Sequence, residues 1–67
     1  MWSTAEKLAK AKAAYRRRFK PLGDVSVVVG GGGYAYVTDE LTKHKARYDI
    51  SAWRVRYVDE SINNTFL

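Results

Sequence analysis

Four consecutive glycines, Gly30 to Gly33, separate a β-branched run, Val25 to Val29, from Tyr34, Ala35, Tyr36 and Val37. Glycine reaches positive φ at little cost, so two strand-prone segments around such a block read as a β-hairpin. The loop length then decides the faces. A four-residue loop pairs Val29 with Tyr34 and Val27 with Tyr36, placing Val25, Val27, Val29, Tyr34 and Tyr36 on one side. Ser26, Val28, Ala35 and Val37 take the other. A loop of odd length, or a bulge, swaps the faces of the second strand, because side chains alternate with a period of two. Sequence leaves both registers open.

Before the hairpin lies a helix. Ser3 and Glu6 have the spacing of a capping box, an Ala-rich segment follows, and Pro21 with Gly23 ends it, so a helix is expected over about 4–19. Leu8, Ala11, Tyr15 and Phe19 fall on one narrow stripe at 100° per residue and form its core-facing side. After the hairpin, Thr38, Asp39 and Glu40 resemble a helix start, and a short helix over 39–47 competes with an irregular connector or a strand beginning near Ala46. Over 52–58, Trp53, Val55 and Tyr57 alternate with Arg54 and Arg56, the period of a half-buried third strand. Residues 61–67 read as a frayed tail unless Phe66 and Leu67 dock. The expected fold is one small α+β domain spanning 1–67. Its basic N-terminal helix packs on a three-stranded antiparallel sheet, with Leu8, Tyr15 and Phe19 against Val25, Val27, Val29, Trp53, Val55 and Tyr57.

With 67 residues and no cysteine, the chain has neither a disulfide nor a thiolate metal site to reinforce a small core. A reducing compartment suits that composition, and a cytoplasmic location is expected, the host cytoplasm if the protein is viral. No apolar stretch is long enough to span a membrane, and no signal peptide is expected at the basic N-terminus.

Chemistry-bearing motifs are scarce. Gly30, Gly32 and Ala35 satisfy a loosened dinucleotide fingerprint with Asp49 downstream, but the glycines open a strand where that site needs a helix N-terminus. His44, the single histidine, stands between Lys43 and Lys45 without grouped partners and reads as a solvated residue or part of a basic patch. The acid pairs Asp39–Glu40 and Asp59–Glu60 read as markers of element ends. No catalytic residue, metal site or cofactor is expected, and Asn63 to Thr65 matches a glycosylation sequon only by accident.

Charge is the informative feature. The net +5 is uneven: residues 1–23 hold Lys7, Lys10, Lys12, Arg16, Arg17, Arg18 and Lys20 against the single acid Glu6, while the remainder holds five bases and six acids. Concentrated positive charge recruits phosphates and adds a salt-dependent term to binding. The leading expectation is therefore a small non-enzymatic nucleic-acid-binding protein, largely indifferent to sequence, that contacts phosphates through these helix residues. Arg54 and Arg56 form a second patch. In the swapped register Tyr34 and Tyr36 join them on an exposed face and suit base stacking. The competing expectation is a protein-interaction module. It would be a phage-type small factor bound to a larger, acidic host protein, or a homodimer through a sheet face carrying Val28, Ala35, Val37 and Val58. Membrane binding is not expected, because the helix's apolar stripe is needed for the core.

Overall fold

The computed structural model describes residues 3–51 and 54–61. One helix, α1 (Thr4–Phe19), precedes four strands: β1 (Val25–Gly30), β2 (Tyr34–Asp39), β3 (Lys45–Asp49) and β4 (Arg56–Ser61). The strands form an antiparallel meander in the order β1-β2-β3-β4, with α1 on one face. The α+β class expected from sequence is what the chain forms, with four strands in place of three.

Local chemistry explains α1. The Ser3 hydroxyl accepts from the Glu6 N–H at 3.2 Å, and the Glu6 carboxylate accepts from the Ser3 N–H, closing the capping box. Lys20 ends the helix in the left-handed region, φ 49°, its N–H donating to Arg16 O at 3.0 Å. Ala11 and Tyr15 are buried, with Ala14 and Phe19 packed beside them.

The glycine block makes an odd turn. Gly30 pairs with Tyr34, leaving Gly31, Gly32 and Gly33 as the loop, with φ of 74° and 80° at Gly32 and Gly33. Val29 therefore faces Ala35 and Val27 faces Val37, the swapped register. Ala35, Val37, Ala46 and Tyr48 line the buried side under α1, while Val28, Tyr34 and Tyr36 take the open side. The apolar face expected to carry Val28, Ala35, Val37 and Val58 together does not exist: Ala35 and Val37 are fully buried on the opposite side from Val28. Nor do Val25, Val27 and Val29 form one buried row, since Val29 lies exposed beyond the helix.

Residues 39–47 form no helix. Asp39 closes β2, its N–H bonded to His44 O at 2.8 Å, and the chain turns through Lys43 at φ 64° into β3. Between Glu40 and Lys45 only Leu41 is apolar, so a helix there has no face to bury, whereas a strand seats Ala46 and Tyr48 opposite Val37 and Ala35. The strand expected over 52–58 lies further on, at 56–61. A register shift between Arg47 and Tyr48 admits Val58 as an extra residue on β4, so that Tyr57 and Glu60 both serve the helix side. Val55 and Tyr57 pack on the core as expected; Trp53 and the tail 62–67 lie outside the described residues. No helix among the described residues is long and apolar enough to cross a membrane.

Candidate nucleic-acid interface

Packing α1 through Ala11 and Tyr15 turns most of its cations outward. Lys10, Arg16, Arg17, Arg18 and Lys20 are exposed, and Lys7 and Lys12 are half-buried. The Lys7 ammonium is engaged, donating to Ile50 O at 2.8 Å. The Arg18 guanidinium stands over the Tyr57 ring, 4.0 Å from its centre. Arg16, Arg17 and Lys20 make no ion pair among the described residues. Arg16 to Arg18 also stand in the last turn, where cations interact favourably with the helix dipole. That gain of about 0.3–1 kcal/mol each accounts for some of the clustering without any ligand.

Beside this surface runs a shallow groove between α1 and the segment entering β4. Its two adjoining depressions, of about 290 and 330 Å³, share Ala14, Arg17 and Val55; Lys10 and Ala13 flank one, and Arg18, Tyr48 and Tyr57 the other. Arg54 and Arg56 are exposed on either side of Val55 in the chain, Arg56 opposite Asp49. Neither arginine is among the residues that line the groove, and Arg56, level with Asp49 and Tyr34, lies on the open side of the sheet.

Tyr34 and Tyr36 lie on the far side of the sheet. The Tyr36 ring lies over Gly30, where an added Cβ would fall 2.1 Å from its Cε2. The Arg47 guanidinium stands 5.0 Å from the Tyr34 ring centre, and its Nε donates to Asp59 at 2.9 Å, a bond that raises the Arg47 pKa. Cations here, Lys45, Arg47 and Arg56, meet Asp49 and Asp59 on the same face. The open face is thus nearly neutral where the helix face is strongly positive. A core layer about 10 Å thick separates them, more than the ~8 Å Debye length at physiological ionic strength.

His44 is not solvated. Its ring is largely buried against Phe19, centres 4.7 Å apart, and joins a hydrogen-bonded chain. Glu60 accepts from His44 Nε2 at 2.7 Å and from the Tyr57 hydroxyl at 2.9 Å, while Tyr15 Oη lies 2.6 Å from His44 Nδ1. A carboxylate can only accept, so Nε2 carries a proton, while Nδ1 and the Tyr15 hydroxyl share the second hydrogen bond. The hydrogen bonds from His44 and Tyr57 hold the Glu60 carboxyl below its ordinary range, and burial, with Asp39 next, pushes the Tyr15 phenol up to about 12. Because Tyr15 is buried, its hydroxyl meets no outside group; the chain fastens helix to edge strand. Sequence reasoning missed this network because its members are separated by 29 and 16 residues and share no local pattern. Among the described residues no His, Cys, Asp or Glu cluster could hold a metal ion.

No protein-family model matches this chain, and no curated protein or solved structure matches it either.

Proposed function

We propose that this protein is a non-enzymatic, cytoplasmic nucleic-acid-binding domain that sets phosphates against the outward side of α1. The observation supporting this reading is the segregation of charge: seven cations and one acid on the first 23 residues, with Arg16, Arg17 and Lys20 free of ion pairs among the described residues. Successive residues of Arg16 to Arg18 project about 100° apart, a spread that suits several phosphates along a backbone better than two forked bonds to one base edge. Specificity for sequence is accordingly weak. Arg56 lies across the sheet with Tyr34 and stands outside this contact surface. Tyr34 and Tyr36 would serve only a strand bound to the opposite face, where two carboxylates offset the cations.

Titration of labelled single- and double-stranded DNA and RNA at two salt concentrations tests the reading. Affinity is expected to fall with salt at a log–log slope of about −0.7 to −0.9 per phosphate contacted. Replacing Arg16, Arg17 and Lys20 together by Glu spares Arg18 on Tyr57 and is expected to abolish binding with the fold intact by circular dichroism. Absence of binding at low salt, or unchanged binding by the triple variant, refutes it. If Tyr34→Ala with Tyr36→Ala weakens only single-strand binding, the open face is the contact surface.

A further inference from the structure

We infer that two copies of this chain join edge to edge through β1, antiparallel about a two-fold axis, to make one continuous sheet. The phase of the β1–β2 ladder comes from a single bond. Glu40 N–H donates to Asp24 O at 3.0 Å, which makes Val25↔Asp39 a non-hydrogen-bonded pair. Ser26, Val28 and Gly30 then exchange their backbone bonds with β2, and Val25, Val27 and Val29 turn their N–H and C=O groups to the free edge. That edge is a pairing template, and an antiparallel copy of itself is its complement.

Among the described residues no strand pairs with the outer side of β1 or of β4, and these two edges differ in how they are guarded. β4 carries Arg56, Asp59 and Glu60 and the extra residue Val58, features that discourage a further strand. β1, Val-Ser-Val-Val-Val-Gly, has neither charge nor proline nor bulge. Exposed large apolar side chains gather along it: Val28 and Val29 are 57% and 52% exposed, and Leu22 and Leu41, beside its start, 91% and 65%. This is a different surface from an open sheet face, and its chemistry selects a strand.

Area and charge set the strength. Six residues span about 20 Å, and an edge about 10 Å deep offers roughly 200 Å² of cross-section. Even doubled for side-chain relief, this falls short of the ~600–1,000 Å² per partner of a stable interface, so the dimer is weak by itself. A two-fold axis normal to the sheet puts both α1 helices on the same face, side by side. Their cations repel across the dimer, and a polyanion spanning both helices relieves that repulsion and adds a second set of contacts. This last step rests on the proposed nucleic-acid reading; the pairing itself does not.

Sedimentation equilibrium at rising protein concentration, at low and high salt, reads the result. A concentration-dependent dimer that tightens with salt is expected, opposite in sign to the salt dependence of nucleic-acid binding. Val28→Lys with Val29→Lys, both at exposed positions, is expected to weaken dimerisation at least tenfold while the circular dichroism spectrum is unchanged. The Val27 and Val29 amides are expected to gain exchange protection on dimerisation. The Glu variant at 16, 17 and 20 separates the two ideas: it is expected to lose nucleic acid yet dimerise more tightly at low salt. A monomer at millimolar concentration in high salt, or a dimer indifferent to the Lys substitutions, overturns the inference.

Discussion

Gly30→Ala measures the hairpin register directly. In the three-residue turn, Gly30 is the last residue of β1 and the Tyr36 ring covers it diagonally, so a new Cβ would fall 2.1 Å from Cε2, 2.9 Å from Cδ2 and 3.2 Å from Cζ of that ring. Carbon atoms need about 3.5 Å, so the ring must withdraw by more than an ångström and give up its packing. Overpacking of this kind costs about 1–3 kcal/mol, against about 0.5–1 kcal/mol recovered by replacing a strand glycine with alanine. A net loss of about 1 kcal/mol lowers the Tm by about 4–8 °C in a domain of this size. With Tyr36→Ala in place the ring is gone, and the same Gly30→Ala change is expected to stabilise by about 0.5–1 kcal/mol. Urea denaturation of the four proteins of this double-mutant cycle should give a coupling of about 1–3 kcal/mol. In a four-residue loop Gly30 leaves the strand and Tyr36 moves to the other face, where no coupling arises. A coupling energy within ~0.5 kcal/mol of zero, the ordinary additivity of distant sites, refutes the register and everything that rests on it.

The network at His44 yields the remaining predictions. His44→Ala removes the partner of the buried Tyr15 hydroxyl and is expected to cost about 1–3 kcal/mol by urea denaturation, much of it recovered when Tyr15→Phe is added. The Tyr15 phenol titrates near 12 in the folded chain against about 10 when unfolded, so folding favours its neutral form. Its contribution is whole below pH 10 and is lost as the pH climbs towards 12; ultraviolet titration of the phenolates should show the steep limb, and Tyr15→Phe should flatten it. Glu60, whose carboxyl is depressed by the bonds from His44 and Tyr57, acts with the opposite sign. Its contribution is present above the ordinary glutamate pKa and fades as the pH falls below it, so Glu60→Gln should blunt the acid limb of a stability-against-pH curve.

Both predicted and unforeseen features have definite sources in the chain. Ser3, Glu6 and Pro21 bounded α1 correctly because capping and the loss of an N–H act within one helical turn. The location of the charge was equally legible, since seven cations within 23 residues need no fold to be adjacent. The region 39–47 misled because Thr38, Asp39 and Glu40 have the local chemistry of a helix start, yet the burial of Ala46 and Tyr48 against Val37 and Ala35 outweighs it. β3 is the strand added to the three expected, and it matches the alternative of a strand beginning near Ala46; the strand expected over 52–58 is displaced to 56–61 as β4, whose alternation crosses a bulge at Val58.

By itself, then, the sequence determined one basic helix and a glycine-turned hairpin. Only the tertiary structure decided which side each strand presents. Glycines 30 to 33 tolerate an even or an odd loop, and the choice was made by Tyr15 and Ala11 needing Ala35, Val37, Ala46 and Tyr48 beneath them. That burial put Tyr34 and Tyr36 on the open side, left β1 with a free uncharged edge, and drew His44 between Tyr15 and Glu60. Local signals act over a few residues of chain, whereas strand faces alternate with a period of two, so a single residue of loop length, settled by distant packing, inverts them all.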